Sequence, residues 1–187
     1  MDARFHGLTF VTDPGRVFTP RAATEHLVDA ALERIGAGSA RVADIGTGSG
    51  VIAVTLALRA PQVEVWASDT CARALEIASL NAERLGAQVH LVHGDLLEGL
   101  PRDLDLIVAN LPYLAPDTPG YEDEPTAAVF SKGDGLDHYR RLIAGAADHL
   151  VADGGIVLQF RGDVLEAERS ELPWLRSRLE ALVRTAA

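Results

Sequence analysis

A glycine-rich loop between two apolar segments constrains the fold of this chain more than any other feature of its sequence. Residues 44–50 read DIGTGSG, the apolar segment 40–45 leads into them, and the apolar segment 51–59 follows. Glycines at the turn from a strand into a helix let the backbone approach a ligand closely, and the helix N-terminus offers free N–H groups. A tight turn without a ligand is the alternative for a glycine loop taken alone.

Strands and helices alternate on both sides of this loop. Apolar runs predict strands at residues 40–45, 63–68, 89–92, 104–109 and 156–160, and helical spacing predicts helices that end at Gly36, Pro61 and Gly86 and a fourth over 136–150. This alternation implies right-handed crossovers between parallel strands. We therefore predict an α/β fold with a mainly parallel sheet and helices on both faces.

The two ends of the chain carry weaker signals. Pro14 and Gly15 indicate a turn with a short extended piece on each side. The tail from Asp163 onward is predicted to be helical, broken or kinked near Pro173, with no clear strand after residue 162. We expect one domain over residues 1–187, with an N-terminal segment and helix at 1–38, a core at 39–162 and a helical tail at 163–187.

The composition limits the class of protein. The 187 residues are 48% hydrophobic, which suits one globular domain with a sizeable core. Lys and Arg number 17 against 27 Asp and Glu, and the net charge of −10 disfavours a nucleic-acid partner, because such binding depends on cations that neutralise phosphates. A single cysteine excludes an internal disulfide, no apolar run is long enough to span a membrane, and the N-terminus lacks a signal-peptide pattern. We expect a cytoplasmic protein.

The spacing of the loop glycines favours S-adenosylmethionine over a dinucleotide. The loop has the pattern Gly-x-Gly-x-Gly, whereas dinucleotide sites use Gly-x-Gly-x-x-Gly and would need glycine in place of Val51. S-adenosylmethionine has no pyrophosphate for a third glycine to accommodate. The candidate cofactor-binding residues of the loop are Asp44, Gly46, Thr47, Gly48 and Gly50.

Acidic residues follow the next two predicted strands. Asp69 ends the second strand, where a carboxylate can accept hydrogen bonds from both hydroxyls of a ribose. Asp95 follows the third strand and can accept a hydrogen bond from an adenine amino group, while Leu96 packs on the ring. Each aspartate alone could equally be a helix cap or a turn residue. Together with the loop they predict a ligand site, because ligands bind at the carboxyl ends of parallel strands.

The segment Asn110-Leu111-Pro112-Tyr113 directly follows the fourth predicted strand and indicates the chemistry. An amide nitrogen is a poor nucleophile because its lone pair is delocalised into the carbonyl. The side-chain oxygen of Asn110 and the carbonyl of Leu111 can each accept one N–H and localise that lone pair, Pro112 stiffens the segment, and Tyr113 can stack on a planar group. We expect this segment to bind the substrate and Asn110 to lie beside the cofactor as well. An ordinary proline turn is the alternative.

Residues 44–50 and 110–113 together resemble the amino-methylating class I methyltransferases. Residues 18–25 (FTPRAATE), 124–125 (EP) and 133–140 (GDGLDHYR) are similar to segments of the HemK/PrmC-type protein-(glutamine-N5) methyltransferases. The resemblance extends over most of the chain. It implies a Rossmann-like class I fold, S-adenosyl-L-methionine as cofactor, and methyl transfer to a glutamine of a peptide-chain release factor.

The sequence also departs from that family. Leu111 stands where the family usually has proline, and the same Asn-Leu-Pro-Tyr string occurs in rRNA adenine dimethyltransferases. Gln159 stands where the family has an acidic residue. We expect the family's N-terminal helical domain to be absent and the C-terminal hairpin of the sheet to be truncated. Two alternatives therefore stay open: an amino-group methyltransferase acting on a nucleic-acid base, and a non-catalytic homologue that binds S-adenosylmethionine.

The remaining polar candidates are predicted to be structural. His90 and His93 would face opposite sides of a strand, so we predict no metal site. Cys71 at a helix start is expected to be a small buried residue. Tyr139 and Arg140 are candidates for positioning the segment after the fourth strand, although packing explains Tyr139 equally well.

Overall fold

The computed structural model of the chain describes residues 1–114, 118 and 124–184. The sequence also indicates a long loop after the fourth predicted strand, with prolines at 112, 116, 119 and 125, and of these Pro116 and Pro119 lie outside the described residues. The described elements are β1 (Asp2–Phe5), β2 (Leu8–Val11), α1 (Ala23–Ile35), β3 (Arg41–Ile45), α2 (Val51–Arg59), β4 (Glu64–Asp69), α3 (Ala72–Leu85), β5 (His90–His93), β6 (Leu104–Ala109), α4 (Thr126–Val129), α5 (Asp137–Ala146), β7 (Leu150–Phe160), β8 (Asp163–Glu168), a 3₁₀ turn (Arg169–Glu171) and α6 (Leu172–Arg184).

The main sheet has six strands in the order β5-β4-β3-β6-β7-β8. The first five are parallel, and β8 is antiparallel to β7. The chain adds strands outward from β3 to β5 and then crosses back to lay β6 on the other side of β3. The strand order therefore reverses between β3 and β6, and a crevice opens at their carboxyl ends.

Both faces of the sheet are covered by helices, as predicted. Leu106 and Val108 of β6 face the core beneath α1 and α2, whereas Ile107 and Ala109 face the core beneath α5 and α6. All four side chains are buried, which explains why β6 has an unbroken apolar run. The prediction of an α/β fold with a mainly parallel sheet is confirmed.

The N-terminal hairpin lies earlier in the chain than the sequence suggested. β1 and β2 are joined by His6 and Gly7, whose φ angles of 50° and 78° are those of a tight two-residue hairpin turn. The prediction of a strand on each side of Pro14 and Gly15 is wrong, because those residues form a separate turn after β2.

The C-terminal part of the sheet is also different from the prediction. The chain turns back after β7, and β8 pairs with β7 over six residues from Gly155–Glu168 to Phe160–Asp163. The expectations of a helical tail from residue 163 and of a truncated hairpin are therefore wrong. Val164, Leu165 and Ala167 contribute apolar contacts from this strand, but the charged Glu166 and Glu168 on either side of Ala167 interrupt the apolar pattern.

The last helix begins after this hairpin. Pro173 is the second residue of α6, where its missing N–H has no helical partner to lose, so it starts the helix rather than kinking it. None of the helices in the described ranges has the length and apolar character needed to cross a membrane.

Candidate active site

A cavity of about 410 Å³ lies at the carboxyl ends of β3 to β7, where the strand order reverses. Most of the residues that the sequence predicted for the site line it, namely Gly46, Thr47, Gly48, Asp69, Asp95, Leu96, Asn110, Leu111, Pro112 and Tyr113. Asp44 and Gly50 lie beside the cavity but do not line it. The predicted residues that line the cavity come from positions up to 67 apart in the sequence, from Gly46 to Tyr113.

The glycine loop is shaped by its contacts with two neighbouring segments. Gly46 and Gly50 have φ angles of 71° and 80°, which L side chains rarely adopt. A Cβ atom at Gly46 would lie 2.9 Å from Leu111, and one at Gly50 would lie 2.9 Å from the Cβ of Ala78. Gly46 therefore lets the loop approach the segment after β6, whereas Gly50 serves the packing of α2 on α3.

Asp44 holds the loop from beneath. Its Oδ2 accepts hydrogen bonds from Thr47 Oγ1 at 2.6 Å and from the backbone N–H of Ala53 at 3.2 Å. The other oxygen, Oδ1, has no hydrogen-bond partner among the described residues. Complete burial raises the pKa of Asp44 to about 7, although the bond from Thr47 acts in the opposite direction. Asp44 thus organises the loop around a carboxyl group whose charge depends on pH near neutrality.

Asp69 connects the end of β4 with the glycine loop. Its Oδ2 accepts a hydrogen bond from the N–H of Gly48 at 2.9 Å, and its Oδ1 accepts one from the N–H of Cys71 at 2.8 Å. Each oxygen keeps a second lone pair for a ligand hydroxyl. Cys71 itself is exposed and lines the cavity, so the prediction that it is buried is wrong. Its position just before α3 leaves its side chain outside the helix interface.

Asp95 is held by a residue that sequence reasoning missed. Arg141 of α5 forms an ion pair with Asp95 Oδ2. The next residue, Leu96, has a left-handed φ of 55°, and its carbonyl accepts a hydrogen bond from Ser68 Oγ at 2.7 Å. These contacts fix the loop after β5 against β4. No local signal could reveal Arg141, because it is 46 residues from Asp95.

Asn110 is oriented by a threonine of the first helix. Its Nδ2 donates a hydrogen bond to Thr24 Oγ1 at 3.2 Å, and Thr24 is buried in α1. With the amide nitrogen turned toward Thr24, the Oδ1 atom is the group of Asn110 that can accept a hydrogen bond from a ligand. Thr24 lies in the segment 18–25 that carried the resemblance, but its role was not predicted.

Tyr139 links the segment after β6 to β7. Its hydroxyl lies 3.2 Å from both the N–H and the carbonyl oxygen of Leu111, and it donates a hydrogen bond to the carbonyl of Gln159. Burial raises the pKa of Tyr139 well above its ordinary value, so the hydroxyl stays protonated. Tyr139 therefore positions Leu111 as well as packing in the core.

Two ion pairs lie in the segments that carried the resemblance. Glu124 accepts a hydrogen bond from the backbone N–H of Thr19 at 3.2 Å and lies 3.7 Å from the guanidinium of Arg21. Arg140 donates two hydrogen bonds of 2.7 Å to Asp134, which lowers the pKa of Asp134 to about 2. These segments of the resemblance are thus held by contacts within the chain, and Arg21 also lines the cavity.

The described residues contain no group of three His, Cys, Asp or Glu side chains that could hold a metal ion. His90 stacks on Trp66 with 4.5 Å between ring centroids, and His93 Nε2 contacts the carbonyl of Thr70 at 2.9 Å.

Comparisons with known proteins agree with this geometry. The methyltransferase small domain family matches residues 7–122. The release factor glutamine methyltransferase of Bordetella pertussis is 43% identical over 83% of this chain and 61% of that protein, and its counterpart from Xylella fastidiosa is 45% identical over 82% of this chain and 58% of that protein. The chain therefore spans about three-fifths of the length of these relatives.

A similar fold occurs in a 16S rRNA methyltransferase of T. Thermophilus, which was solved in complex with AdoMet and guanosine. It has a TM-score of 0.64 and 21% identity, over 84% of this chain and 40% of that one. The sequence relatives confirm the resemblance to the glutamine methyltransferases that the motifs indicated, and this solved structure shows the fold.

Proposed function

The chain belongs to the methyltransferase small domain family, and from that premise we propose that it transfers a methyl group from S-adenosyl-L-methionine to the side-chain nitrogen of a glutamine in a peptide-chain release factor. The observation that carries the proposal is the placement of Asn110 at the point where the strand order reverses, with Thr24 turning its amide so that Oδ1 can serve a ligand. The sequence similarity to glutamine methyltransferases supports the choice of substrate.

The residues of the cavity suit S-adenosylmethionine. Two aspartates, Asp69 at the end of β4 and Asp95 after β5, line the cavity and suit a cofactor that carries positive charge, and Asp69 has lone pairs for two ribose hydroxyls. The loop at Gly46 and Gly48 presents backbone rather than side chains to the cavity. Leu96 offers an apolar surface for the adenine ring beside Asp95. When bound, the cofactor supplies a methyl group activated by the sulfonium.

The chain's own residues prepare the acceptor nitrogen. Asn110 Oδ1 accepts one N–H of the glutamine carboxamide, and the carbonyl of Leu111 offers a second acceptor, so that the nitrogen lone pair is aimed at the methyl group. Pro112 and Tyr113 line the same part of the cavity, where Tyr113 can cover the planar amide and exclude water. The methylated nitrogen then loses one proton to solvent. No strong base is needed, because the sulfonium is a good leaving group.

A second candidate is methylation of the amino group of a nucleic-acid base. It is favoured by the Asn-Leu-Pro-Tyr string, which offers the same hydrogen-bond acceptors to an exocyclic amino group. The net charge of −10 argues against it, because few cations are left to neutralise a phosphate backbone. We therefore propose a protein substrate, no nucleic-acid partner, and a cytoplasmic location, where release factors act.

The test is transfer of labelled methyl groups from the cofactor to a purified release factor and, in parallel, to rRNA. We expect label on one glutamine of the release factor, located by mass mapping, and none on the RNA. The control is the same release factor with that glutamine replaced by leucine. Label on RNA alone, or cofactor binding without transfer to either acceptor, would contradict the proposal.

A further inference from the structure

Asn81 of α3 joins the N-terminal hairpin to the glycine loop. The residue is buried, with 1% of its surface exposed. Its Oδ1 accepts a hydrogen bond from the N–H of Val11 at 2.7 Å, and its Nδ2 donates to the carbonyl oxygens of Val11 at 2.9 Å and of Ser49 at 2.8 Å. Because the partners are one N–H and two carbonyls, they determine which way the amide of Asn81 points. One side chain therefore connects β2, α3 and the loop after β3.

The backbone groups that Asn81 binds lie where the regular structure ends. β2 pairs with β1 along one edge, and Asn81 binds Val11 along the other. In the turn before α2, the carbonyl of Gly50 accepts the N–H of Val54, whereas the carbonyl of Ser49 accepts from Asn81. A buried carbonyl that loses its donor destabilises the segment that carries it, so Asn81 holds the loop at Ser49 in place.

Both partners of Asn81 belong to segments that line the candidate cofactor cavity. Ser49 lines it directly, between two glycines of the loop. The chain that continues from Val11 lines it at residues 16–18. The hydrogen bonds of Asn81 therefore connect two walls of the same cavity.

The face of α3 that carries Asn81 also packs against both walls. Ala74 and Ala78 precede Asn81 at helical spacing on this face. Ala74 packs in a small cluster with Val17, whose side chain is 3.9 Å from the position that a Cβ atom would take at Gly48. Ala78 lies against the last glycine of the loop. The polar contacts of Asn81 thus complete an apolar contact that is already close.

We propose that Asn81 is a positioning residue for cofactor binding, which couples the N-terminal hairpin to the glycine loop. The inference deepens the proposed function and rests on its cofactor, S-adenosylmethionine. By binding Ser49 and Val11 with one amide, Asn81 sets the two walls of the cavity relative to each other before the cofactor arrives, and less ordering is then left for the binding step. Because coupling between two sites is reciprocal, cofactor binding in turn stabilises the hairpin.

The first test is the affinity for S-adenosylmethionine of Asn81→Leu in the full chain, measured by calorimetry. This substitution keeps a branched side chain and removes all three hydrogen bonds. We expect about tenfold weaker binding than in the wild type, because the loop and the segment after β2 lose their common support.

The matched control is Leu175→Ala in α6, which is buried in the core on the other face of the sheet from α2. It lowers the free energy of unfolding by leaving a cavity in that core, but the glycine loop and α3 are intact. Its affinity for the cofactor should stay within about twofold of the wild type. Thermal unfolding compares the stability of the two variants. Wild-type affinity in Asn81→Leu, or equal weakening in both variants, would overturn the inference.

Hydrogen exchange gives a second test, and its first part uses the wild type alone, whether or not Asn81→Leu folds. Saturating S-adenosylmethionine should slow exchange of the β2 amides at least about threefold and leave those of β8 unchanged. In folded Asn81→Leu the slowing at β2 should disappear. Unchanged exchange at β2 in the wild type, or slowing that persists in Asn81→Leu, would overturn the coupling.

Neither measurement uses a methyl acceptor. If the wild type binds S-adenosylmethionine but does not methylate the release factor, the proposed function fails, whereas Asn81 is still judged by affinity and by exchange. The two failures are therefore distinguished by different experiments.

Discussion

The two halves of the cavity are built differently. On the side of β3, β4 and β5, one oxygen of Asp44 and the carboxylates of Asp69 and Asp95 are held by close hydrogen bonds or ion pairs within the chain. On the side of β6 and β7, Asn110 has one long bond to Thr24 through its nitrogen, which leaves its Oδ1 for a ligand. The first half is organised before a ligand arrives, whereas the second presents acceptors that a substrate would satisfy.

This difference predicts that the first half of the cavity determines affinity for the cofactor and that the second half determines the rate of methyl transfer. Preformed contacts in the first half hold the loop in one geometry, which favours tight binding of an invariant cofactor. The free hydrogen-bond acceptors in the second half gain their partners only when the substrate group that receives the methyl enters the cavity. Substitutions in the two halves should therefore affect different measured quantities, and the following predictions test that division.

The largest effect is expected at Asn110. Asn110→Ala removes the proposed contact to the substrate NH₂ and should lower kcat on the order of 10²-fold or more, as does loss of one preorganised polar contact to a transition state. Cofactor affinity measured by calorimetry should change much less, because the other half is untouched. Methylation at the wild-type rate by Asn110→Ala would show that the segment is structural.

A sharper probe of the same position is Asn110→Asp. It keeps an acceptor oxygen and adds a negative charge beside the proposed sulfonium, so we expect tighter cofactor binding together with lower kcat. Weaker cofactor binding in this variant would place Asn110 away from the methyl donor.

The next effect is expected at Asp69, in the other half. Asp69→Ala removes the acceptors for two ribose hydroxyls and should weaken cofactor binding by roughly 2–4 kcal/mol. Part of that loss comes from freeing the N–H groups of Gly48 and Cys71 that Asp69 now binds. Asp69→Asn is the matched control and should lose less, because it keeps one acceptor oxygen. An unchanged dissociation constant in Asp69→Ala would remove Asp69 from the cofactor site.

A smaller effect is expected at Tyr139, which links the segment after β6 to β7 in the second half of the cavity. Tyr139→Phe keeps the ring, which packs edge-on against Phe160 at 5.6 Å between centroids, and removes only the hydroxyl. We expect kcat to fall about tenfold and unfolding to become easier by about 1–2 kcal/mol, because the N–H of Leu111 and the carbonyl of Gln159 lose a buried partner. A variant with lower stability but unchanged kcat would show that Tyr139 only packs.

The sequence predicts the first half of the site better than the second, for a physical reason. The glycine loop is predicted from local spacing, and the bond from Thr47 to Asp44 that holds it joins residues only three positions apart. The contacts that orient the acceptor side join Asn110 to Thr24 across 86 positions and Tyr139 to Leu111 across 28. Such pairs are set by the packing of α1 and α5 on the sheet, which no local pattern encodes.

The errors in the fold have similar causes. The prediction of a helical tail is wrong because β8 is an edge strand with few apolar residues. Its charged residues, such as Glu166 and Glu168, are exposed and hide the strand pattern. Alternation in a strand of six residues is hard to distinguish from helical spacing. The early hairpin was missed because His6, a non-glycine residue with a φ of 50°, occupies the first turn position.

The smallest effect is expected from pH, through Asp44. Its pKa is about 7 in the folded chain, against an ordinary value of 3.8, so between about pH 4 and pH 7 the folded state binds a proton that the unfolded state does not. Stability contributed by this group is therefore present at low pH and is lost as pH rises through 7.

Compared with Asp44→Asn, which does not titrate, the wild type should lose about 1 kcal/mol of unfolding free energy from pH 5.5 to pH 6.5. Urea unfolding of both proteins at these pH values measures the difference. Parallel changes in the two proteins would show that the carboxyl of Asp44 is already ionised in this range, and that its loop is held by an anion rather than by a neutral acid.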